Sequence, residues 1–142
     1  MKISNILATK GIVVYTILPS QTVHNAVALL ARHNIGALVV VDDEGRPVGI
    51  ISERDVVRAL VGGEDVLTKT VDQVMTKTVI SALPQDDIQS VMQTMTDKRF
   101  RHLPVVEEGE LSGIVSIGDV IKALLAEYRG EIDTLQTQIT QG

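Results

Sequence analysis

The sequence predicts an α/β fold made of two tandem copies of one β-α-β-β-α unit. The first observation is an internal repeat, because residues 18–60 recur in order as residues 83–124. The second is that short β-branched runs alternate with segments of helical periodicity in both copies. The third is the length of 142 residues, which suffices for one domain with two pseudo-symmetric halves.

The first copy reads strand, helix, strand, strand, helix. A β-branched run at residues 12–16 predicts the first strand, and Thr22 is placed to cap a helix with apolar residues at helical spacing. Residues 37–41 and 48–52 are typical of buried strands joined by a charged turn. Residues 53–61 predict the closing helix, because a glycine pair follows them directly.

The second copy repeats this order. Its predicted elements are a strand at residues 78–81, a helix at 86–98, strands at 103–106 and 113–116, and a helix from residue 117 onward.

The last helix is predicted to continue well past the end of its counterpart. Its apolar residues form a narrow seam at alternating spacings of four and three: Ile121, Leu125, Tyr128, Ile132, Leu135 and Ile139. The seam either packs on its own domain or forms a contact between subunits. The expected division of the chain is a first repeat at residues 1–70, a second repeat at 71–128 and a helical tail at 129–142.

Composition narrows the classes of function. The net charge of −5 argues against nonspecific binding to nucleic acid and to anionic membrane surfaces. The absence of cysteine excludes disulfides, thiolate metal sites and cysteine nucleophiles, and it fits a cytoplasmic location. The sequence has no signal-peptide core and no apolar run of membrane-spanning length. It also offers no nucleophile–base pair and no acidic cluster at metal-ligand spacing, so we expect neither an enzyme nor a metal site.

A Gly-Ile-x-Ser-x-x-Asp motif stands at the end of the third strand of each copy, at residues 49–55 and 113–119. Ser and Asp three residues apart at a strand-to-helix junction place a hydroxyl and a carboxylate on one edge of the first helical turn. Because a carboxylate accepts hydrogen bonds from adjacent hydroxyls, this edge suits the vicinal diol of a ribose. The alternative is an ordinary helix cap, in which both side chains serve backbone amides. Duplication of the motif in register favours the binding site.

The two copies differ in the basic residues near their motifs. The second copy carries basic residues where its middle strand begins, and the first copy does not. Arg99, Arg101 and His102 occupy the positions that Asn34, Gly36 and Ala37 have in the first copy. The first copy instead carries Arg54 directly before Asp55. Because a carboxylate repels phosphate, a nucleotide whose ribose lies on Asp119 is expected to direct its phosphate toward Arg101 and His102.

The doubled unit, its paired motifs and residues 101–106 together resemble the paired cystathionine-β-synthase (CBS) domain, over about residues 7–125. The chain is also similar to standalone two-CBS proteins in its opening at residues 5–11 and in its helical tail. The resemblance implies two tandem CBS repeats related by a pseudo-twofold axis, homodimers, and clefts for adenosine-containing ligands. Ser and Asp of each motif would hold ribose, strand backbone and aliphatic side chains would hold adenine, and basic residues would hold phosphate.

The predicted ligand-binding residues are Val13, Val14, Gly36, Ala37, Ile50, Ser52, Arg54, Asp55, Thr78, Val79, Arg99, Arg101, His102, Ile114, Ser116 and Asp119. The predicted function is a non-catalytic sensor that binds an adenine nucleotide and signals to a protein target whose identity the sequence does not give. AMP is the first candidate ligand, with ATP and NADH as the others. The alternative is a scaffold dimer whose clefts are empty remnants.

Overall fold

The structure, a computed structural model, describes residues 1–11, 13–63 and 65–141, with side chains described as far as residue 136. Its elements are α1 (Ile3–Lys10), β1 (Thr16–Ile17), α2 (Val23–His33), β2 (Ala37–Val41), β3 (Pro47–Ser52), α3 (Glu53–Val61), α4 (Val71–Val74), α5 (Ile88–Lys98), β4 (His102–Glu107), β5 (Glu110–Ser116) and α6 (Ile117–Gln141). A 3₁₀ turn at Val66–Thr68 lies between α3 and α4. The predicted α/β fold with two repeats and a long last helix is confirmed.

The main helix of each repeat begins and ends at corresponding positions. The Thr22 side chain accepts a hydrogen bond from the backbone N–H of Asn25 at 3.2 Å, which confirms the predicted cap of α2. The Asp87 carboxylate caps α5 in the same way, from the N–H groups two and three residues on. Both helices end at a residue in the left-handed conformation, Asn34 in α2 and Arg99 in α5.

The sheets differ between the repeats by one strand. In the first repeat β1 pairs in parallel with β2, and β2 pairs antiparallel with β3. In the second repeat β4 pairs with β5, and the first strand is reduced to a single bridge between Ala82 and Val105. The predicted strand at residues 78–81 is therefore wrong. Pro104 stands where β2 has Val39, and since proline has no N–H to donate, the ladder cannot extend past Ala82.

Each repeat has its own hydrophobic core, and each core is completed by a helix that the sequence did not predict. In the second core, Ile3, Ile6 and Leu7 of α1 pack among residues of α5, β4 and β5. In the first core, Val66 and Val71 pack among residues of α2, β2 and β3. The helix that precedes each repeat in the chain therefore packs on the other repeat.

Backbone hydrogen bonds fix this exchange with the same pattern on both sides. Ile3 N–H donates to Asp86 O at 3.0 Å, and Val71 N–H donates to Gln21 O at 2.7 Å. Asp86 and Gln21 are equivalent positions of the repeat, so the exchange follows the pseudo-twofold relation. The predicted boundary at residue 70 divides the chain in sequence but not in space, because each hydrophobic core contains residues from both sides of it.

The glycine that opens each motif lies against the exchanged helix or the residue that ends it. A Cβ on Gly49 would lie 2.6 Å from Sδ of Met75, and a Cβ on Gly113 would lie 2.6 Å from Cδ2 of Leu7. Both glycines therefore permit close packing of the chain on itself.

Helix α6 joins the core only through its first turns. Val120 is buried, and Ile117, Ala123 and Leu124 pack partly against the second core. The predicted seam points away from it, with five residues 42–57% exposed: Ile121, Leu125, Tyr128, Ile132 and Leu135. The side chain of Ile139 lies outside the described residues. These five side chains keep about half of their surface exposed in this chain, and the helix continues through residue 128 without a break.

Candidate functional site

An open cleft of about 900 Å³ lies between the two repeats. The first repeat contributes the end of β3 and the start of α3, and the second contributes the chain from the end of α5 into β4. The segment that links the repeats supplies a third wall through Thr76, Thr78 and Ile80. The cleft therefore joins one Ser-x-x-Asp motif to residues of the other repeat.

Asp55 presents a carboxylate to this cleft from the first turn of α3. Its Oδ2 accepts hydrogen bonds from Ser52 N at 2.8 Å and Ser52 Oγ at 2.9 Å, and its Oδ1 accepts one from Thr76 Oγ1 at 2.9 Å. Ser52 Oγ in turn accepts from Asp55 N at 3.3 Å, so the helix-cap geometry is present. Because an ionised carboxylate has about four acceptor positions, capping does not exhaust the hydrogen-bonding capacity of Asp55.

Cations outnumber carboxylates around the cleft. Five arginine and lysine side chains line it against two carboxylates: Arg54, Arg58, Lys98, Arg99 and Arg101 against Glu53 and Asp55. Arg99 takes the left-handed conformation, with φ of 60°, at the position that ends α5. The surplus of positive charge suits an anionic group, and phosphate is the anion that arginine binds best in bidentate geometry.

His102, half-buried at the start of β4, completes the basic side of the cleft. A Cβ on Gly36 would lie 3.4 Å from its Nε2, so the glycine lies directly against the ring. Burial lowers the pKa of His102 and the Lys10 ammonium lowers it further, while Asp119 and Glu53 act in the opposite direction. The net pKa lies below its usual value, so the imidazole is mainly neutral at pH 7.

The second motif has a different partner. Ser116 N donates to Asp119 Oδ2 at 2.9 Å and Asp119 N donates to Ser116 Oγ at 3.1 Å, which again is a cap. Lys10 Nζ donates to Asp119 Oδ2 at 2.6 Å and to the backbone oxygen of Ile114 at 3.0 Å. Burial raises the pKa of Asp119, but the hydrogen bonds from Lys10 and Ser116 and the charge of Lys10 lower it by more, and the net pKa lies below its ordinary value.

The cleft brings together nine of the sixteen predicted site residues: Gly36, Ile50, Ser52, Arg54, Asp55, Thr78, Arg99, Arg101 and His102. The other seven do not line it: Val13, Val14, Ala37, Val79, Ile114, Ser116 and Asp119. Arg101 and His102 thus share the cleft with Asp55, because β4 faces the start of α3 across it. His102 also lies opposite Ser116 in the β4–β5 ladder, and the expectation that these two residues serve a nucleotide on Asp119 stays a prediction.

Sequence reasoning missed the residues that contact the motifs from outside the repeat. Thr76 lies just after α4 and Lys10 is the last residue of α1, and the two segments share one apolar spacing: Ile3, Ile6 and Leu7 in one, and Val71, Val74 and Met75 in the other. That spacing was the available signal, because it shows that the repeat extends to the segments that contain both residues. Arg58 and Lys98 were missed because nothing in the sequence shows that α3 and the end of α5 share a wall.

Comparison with known proteins agrees with this geometry. The family model described as the CBS domain matches residues 3–62 and 71–126, which together cover most of the chain. The chain belongs to the CBS domain family. Both matched segments begin at or next to an exchanged helix, α1 in one case and α4 in the other.

Three CBS proteins illustrate the similarity. The CBS domain-containing protein CBSX3, mitochondrial, of Arabidopsis thaliana is 40% identical over 127 residues, which cover 86% of this chain and 62% of that protein. The chain thus spans less than two thirds of this relative. The crystal structure of the CBS-domain containing protein ATU1752 from Agrobacterium tumefaciens matches with a TM-score of 0.83 and 42% identity, covering 87% of this chain and 98% of that one. The CBS domain pair of protein MJ0100, solved in complex with 5′-methylthioadenosine and S-adenosyl-L-methionine, matches with a TM-score of 0.80 and 27% identity, covering 89% of this chain and 98% of that one.

The described residues contain neither a metal-binding cluster nor a membrane-spanning helix. Within the ranges that the structure describes, no three histidine or acidic side chains lie close enough together to hold a metal ion. In the same part of the chain, no helix combines the length and the apolar character needed to cross a membrane.

Proposed function

We propose that this CBS pair is a non-catalytic regulatory module that binds an adenine nucleotide in the cleft between its repeats. The observation that carries the proposal is the meeting of the Ser52–Asp55 edge with Arg99, Arg101 and His102 across one cleft. Such a cleft offers a hydrogen-bond acceptor for a ribose diol and cations for a phosphate on opposite walls.

The cleft walls suggest how such a ligand would lie. Its ribose hydroxyls would donate to Asp55 in place of the Ser52 and Thr76 hydroxyls, which are neutral and easily replaced partners. The aliphatic surface of Ile50 and Ile80 would contact the base. The phosphate would then reach the basic wall on the second repeat.

The charge of the cleft distinguishes among adenosine-containing ligands. The MJ0100 pair was solved with 5′-methylthioadenosine, which is neutral, and with S-adenosyl-L-methionine, which carries a sulfonium cation. Five cationic side chains against two carboxylates favour an anionic ligand here. We therefore propose AMP as the first ligand to test, with ATP and NADH as the other candidates.

Regulation requires that the ligand favour one of two conformations or assemblies. We propose that the module is a homodimer, that its ligand changes the surface offered to a protein target, and that it acts in the cytoplasm. Since the cleft lies between the repeats, a bound nucleotide would tie α3 of the first repeat to β4 of the second, and a change in their spacing is the signal that the fold can transmit.

Isothermal titration calorimetry with AMP, adenosine and S-adenosyl-L-methionine tests the proposal. We expect AMP to bind more tightly than adenosine, and S-adenosyl-L-methionine to bind less tightly than AMP. Arg101→Ala should weaken AMP binding and leave adenosine binding nearly unchanged. Arg46→Ala is the matched control, because Arg46 is an exposed arginine that pairs with Glu44 in the turn between β2 and β3, outside the cleft.

Two results would contradict the proposal. Equal affinities for AMP and adenosine would show that the basic wall does not bind phosphate. The absence of heat with AMP, ATP, NADH and adenosine alike would favour the scaffold dimer with empty clefts.

A further inference from the structure

Each motif offers two hydrogen-bond acceptors at equivalent positions, a backbone oxygen and an aspartate carboxylate. A different residue of the chain donates to both acceptors in each motif. In the first repeat, the backbone N–H of Thr76 donates to Ile50 O at 2.8 Å and its hydroxyl donates to Asp55 Oδ1 at 2.9 Å. In the second repeat, the equivalent acceptors are Ile114 O and Asp119. Both of them accept from the single ammonium group of Lys10.

The two occupants differ in how firmly they are held. Thr76 is fixed by a reciprocal pair of backbone hydrogen bonds with Ile50, one in each direction. The Lys10 ammonium is the end of a flexible four-carbon side chain, and the Lys10 and Asp119 side chains are 36% and 26% exposed. A ligand approaching from solvent can therefore displace the ammonium, whereas it can displace only the hydroxyl of Thr76 and not its backbone.

The two occupants also differ in charge. A ribose diol that approaches Asp55 competes with neutral hydroxyls for the carboxylate. A diol that approaches Asp119 competes with an ammonium, and a charge-assisted hydrogen bond is about twice as strong as a neutral one. The ammonium is moreover the shortest hydrogen-bond partner of Asp119, at 2.6 Å.

From these contacts we infer that Lys10 is a displaceable internal competitor, which holds Asp119 when no ligand is present and makes the second motif a weaker adenosine site than the first. The inference rests on the proposed function, because it assumes that a Ser-x-x-Asp edge binds ribose. Lys10 is thus a specificity-determining residue: it sets how the two motifs of one chain share the same ligand. A partly exposed ion pair of this kind corresponds to about a two- to fivefold change in affinity.

Adenosine is the probe for the test, because a neutral ligand separates competition for Asp119 from long-range attraction between charges. Asp55→Ala removes the first edge and leaves the second to be measured. In this background, Lys10→Met keeps the aliphatic length and removes the ammonium. We expect Lys10→Met to tighten adenosine binding by about two- to fivefold.

Lys77→Met in the same background is the matched control. Lys77 is an exposed lysine in the corresponding segment before the second repeat, and it makes no hydrogen bond to either motif in the described structure. This variant should leave adenosine affinity unchanged. Unchanged or weaker adenosine binding by the Lys10→Met variant would overturn the inference, and so would the absence of binding by both Asp55→Ala and Asp55→Ala/Lys10→Met.

Salt gives a second measurement that does not need the lysine variant to be stable. Raising NaCl from 0.05 to 0.5 M shortens the Debye length from more than 10 Å to about 4 Å, which weakens an exposed ion pair. Adenosine binding to the Asp55→Ala variant should therefore tighten with salt, and a flat or opposite dependence would contradict the inference. Failure of the proposed function is distinguishable, since the native chain would then bind no adenosine-containing ligand at all.

Discussion

Arg99 has a left-handed backbone conformation, which is less favourable for arginine than for Asn34, its counterpart in the first repeat. Both Arg99 and Asn34 end a helix with positive φ, at 60° and 51°. Asparagine tolerates this conformation better than arginine, because its short polar side chain can hydrogen-bond locally. An arginine kept at such a position, with its side chain lining the cleft, suggests that ligand binding outweighs local stability.

Arg99→Asn should therefore separate stability from binding. We expect the free energy of unfolding to be unchanged or to rise by up to about 1 kcal/mol, because the left-handed conformation becomes easier to adopt. AMP affinity should fall, because one cation leaves the basic wall. Chemical denaturation and calorimetry on the same preparation check both effects, and a variant that loses stability while keeping its AMP affinity would contradict this interpretation.

The two motif carboxylates should differ in their effect on nucleotide affinity. Asp55→Ala removes the acceptor from the cleft that contains Arg101 and His102, and hydrogen bonds to a charged group contribute about 1.5–3 kcal/mol. AMP affinity should therefore fall by about 10- to 150-fold. Asp119→Ala should have a smaller effect, which reverses the order that the sequence predicts.

Both substitutions also remove a helix cap worth about 1 kcal/mol, so melting temperatures without ligand serve as the control. Equal losses of stability with no loss of AMP affinity in either variant would mean that both Ser-x-x-Asp pairs are caps alone.

His102 gives AMP binding a pH dependence with a definite sign. Burial and Lys10 lower its pKa in the free protein, whereas a bound phosphate would raise it. Binding should therefore take up a proton, be strongest below the pKa of the free protein, and weaken as pH rises through the higher pKa of the complex. Calorimetry in buffers of different ionisation enthalpy measures this uptake. His102→Gln should lower the uptake relative to the native protein, and equal uptake by the two proteins would contradict a cationic contact between His102 and phosphate.

At the scale of single elements, α3 and α6 leave apolar residues uncovered in the described structure. Val57, Leu60 and Val61 on α3 are 54–85% exposed, and the seam of α6 is similarly open. Several exposed apolar side chains on one helix are typical of a protein interface. The homodimer remains a prediction, and this surface is the one that we expect it to bury.

Ile132→Lys tests the seam directly. Ile132 is 53% exposed and lies beyond the part of α6 that packs on the core, so a charge there should not unfold the chain. We expect light scattering to give twice the chain mass of 15.4 kDa for the native protein and a shift toward one chain mass for Ile132→Lys. Glu131→Lys, one position away and exposed, should remain dimeric. A native monomer at micromolar concentration would refute the dimer.

The sequence predicts well those elements whose signals are local. The limits of β2 and α3 match the prediction residue for residue, because β-branched runs, the Ser52 cap and the glycines at 62–63 all act within a few positions. The prediction of a strand at 78–81 was wrong because β4, the strand it would pair with, carries Pro104, which has no N–H to donate. The residues at 78–81 themselves give no sign of this. The site followed the same rule: the motifs were found, whereas their partners across the interface depend on tertiary packing.

The whole molecule is held together by the exchange of α1 and α4. The second core is incomplete without α1 from the start of the chain, and the first core is completed by α4, the segment that leads into the second repeat. We therefore expect the two halves to unfold as one unit. Ile3, which is fully buried, is the clearest position at which to test this.

Ile3→Ala should lower the free energy of unfolding by about 2–5 kcal/mol, the usual cost of truncating a buried isoleucine. Val13→Ala is the control, because Val13 is 68% exposed and should change stability by no more than about 0.5 kcal/mol. Hydrogen exchange should show that Ile3→Ala reduces protection in β4 and β5 at least as much as in β2 and β3. Loss confined to the first repeat would contradict the exchange.

The exchange also has a consequence during synthesis on the ribosome. The first repeat can close its core once α4 has emerged, but α1, which is made before both repeats, must wait for Val120, about 110 residues later. At about 5–20 residues per second, its apolar face stays without a partner for roughly 5–20 s. During that interval Ile3, Ile6 and Leu7 lack the folded partners that cover them in the finished protein, so we expect this short helix to be a binding site for chaperones.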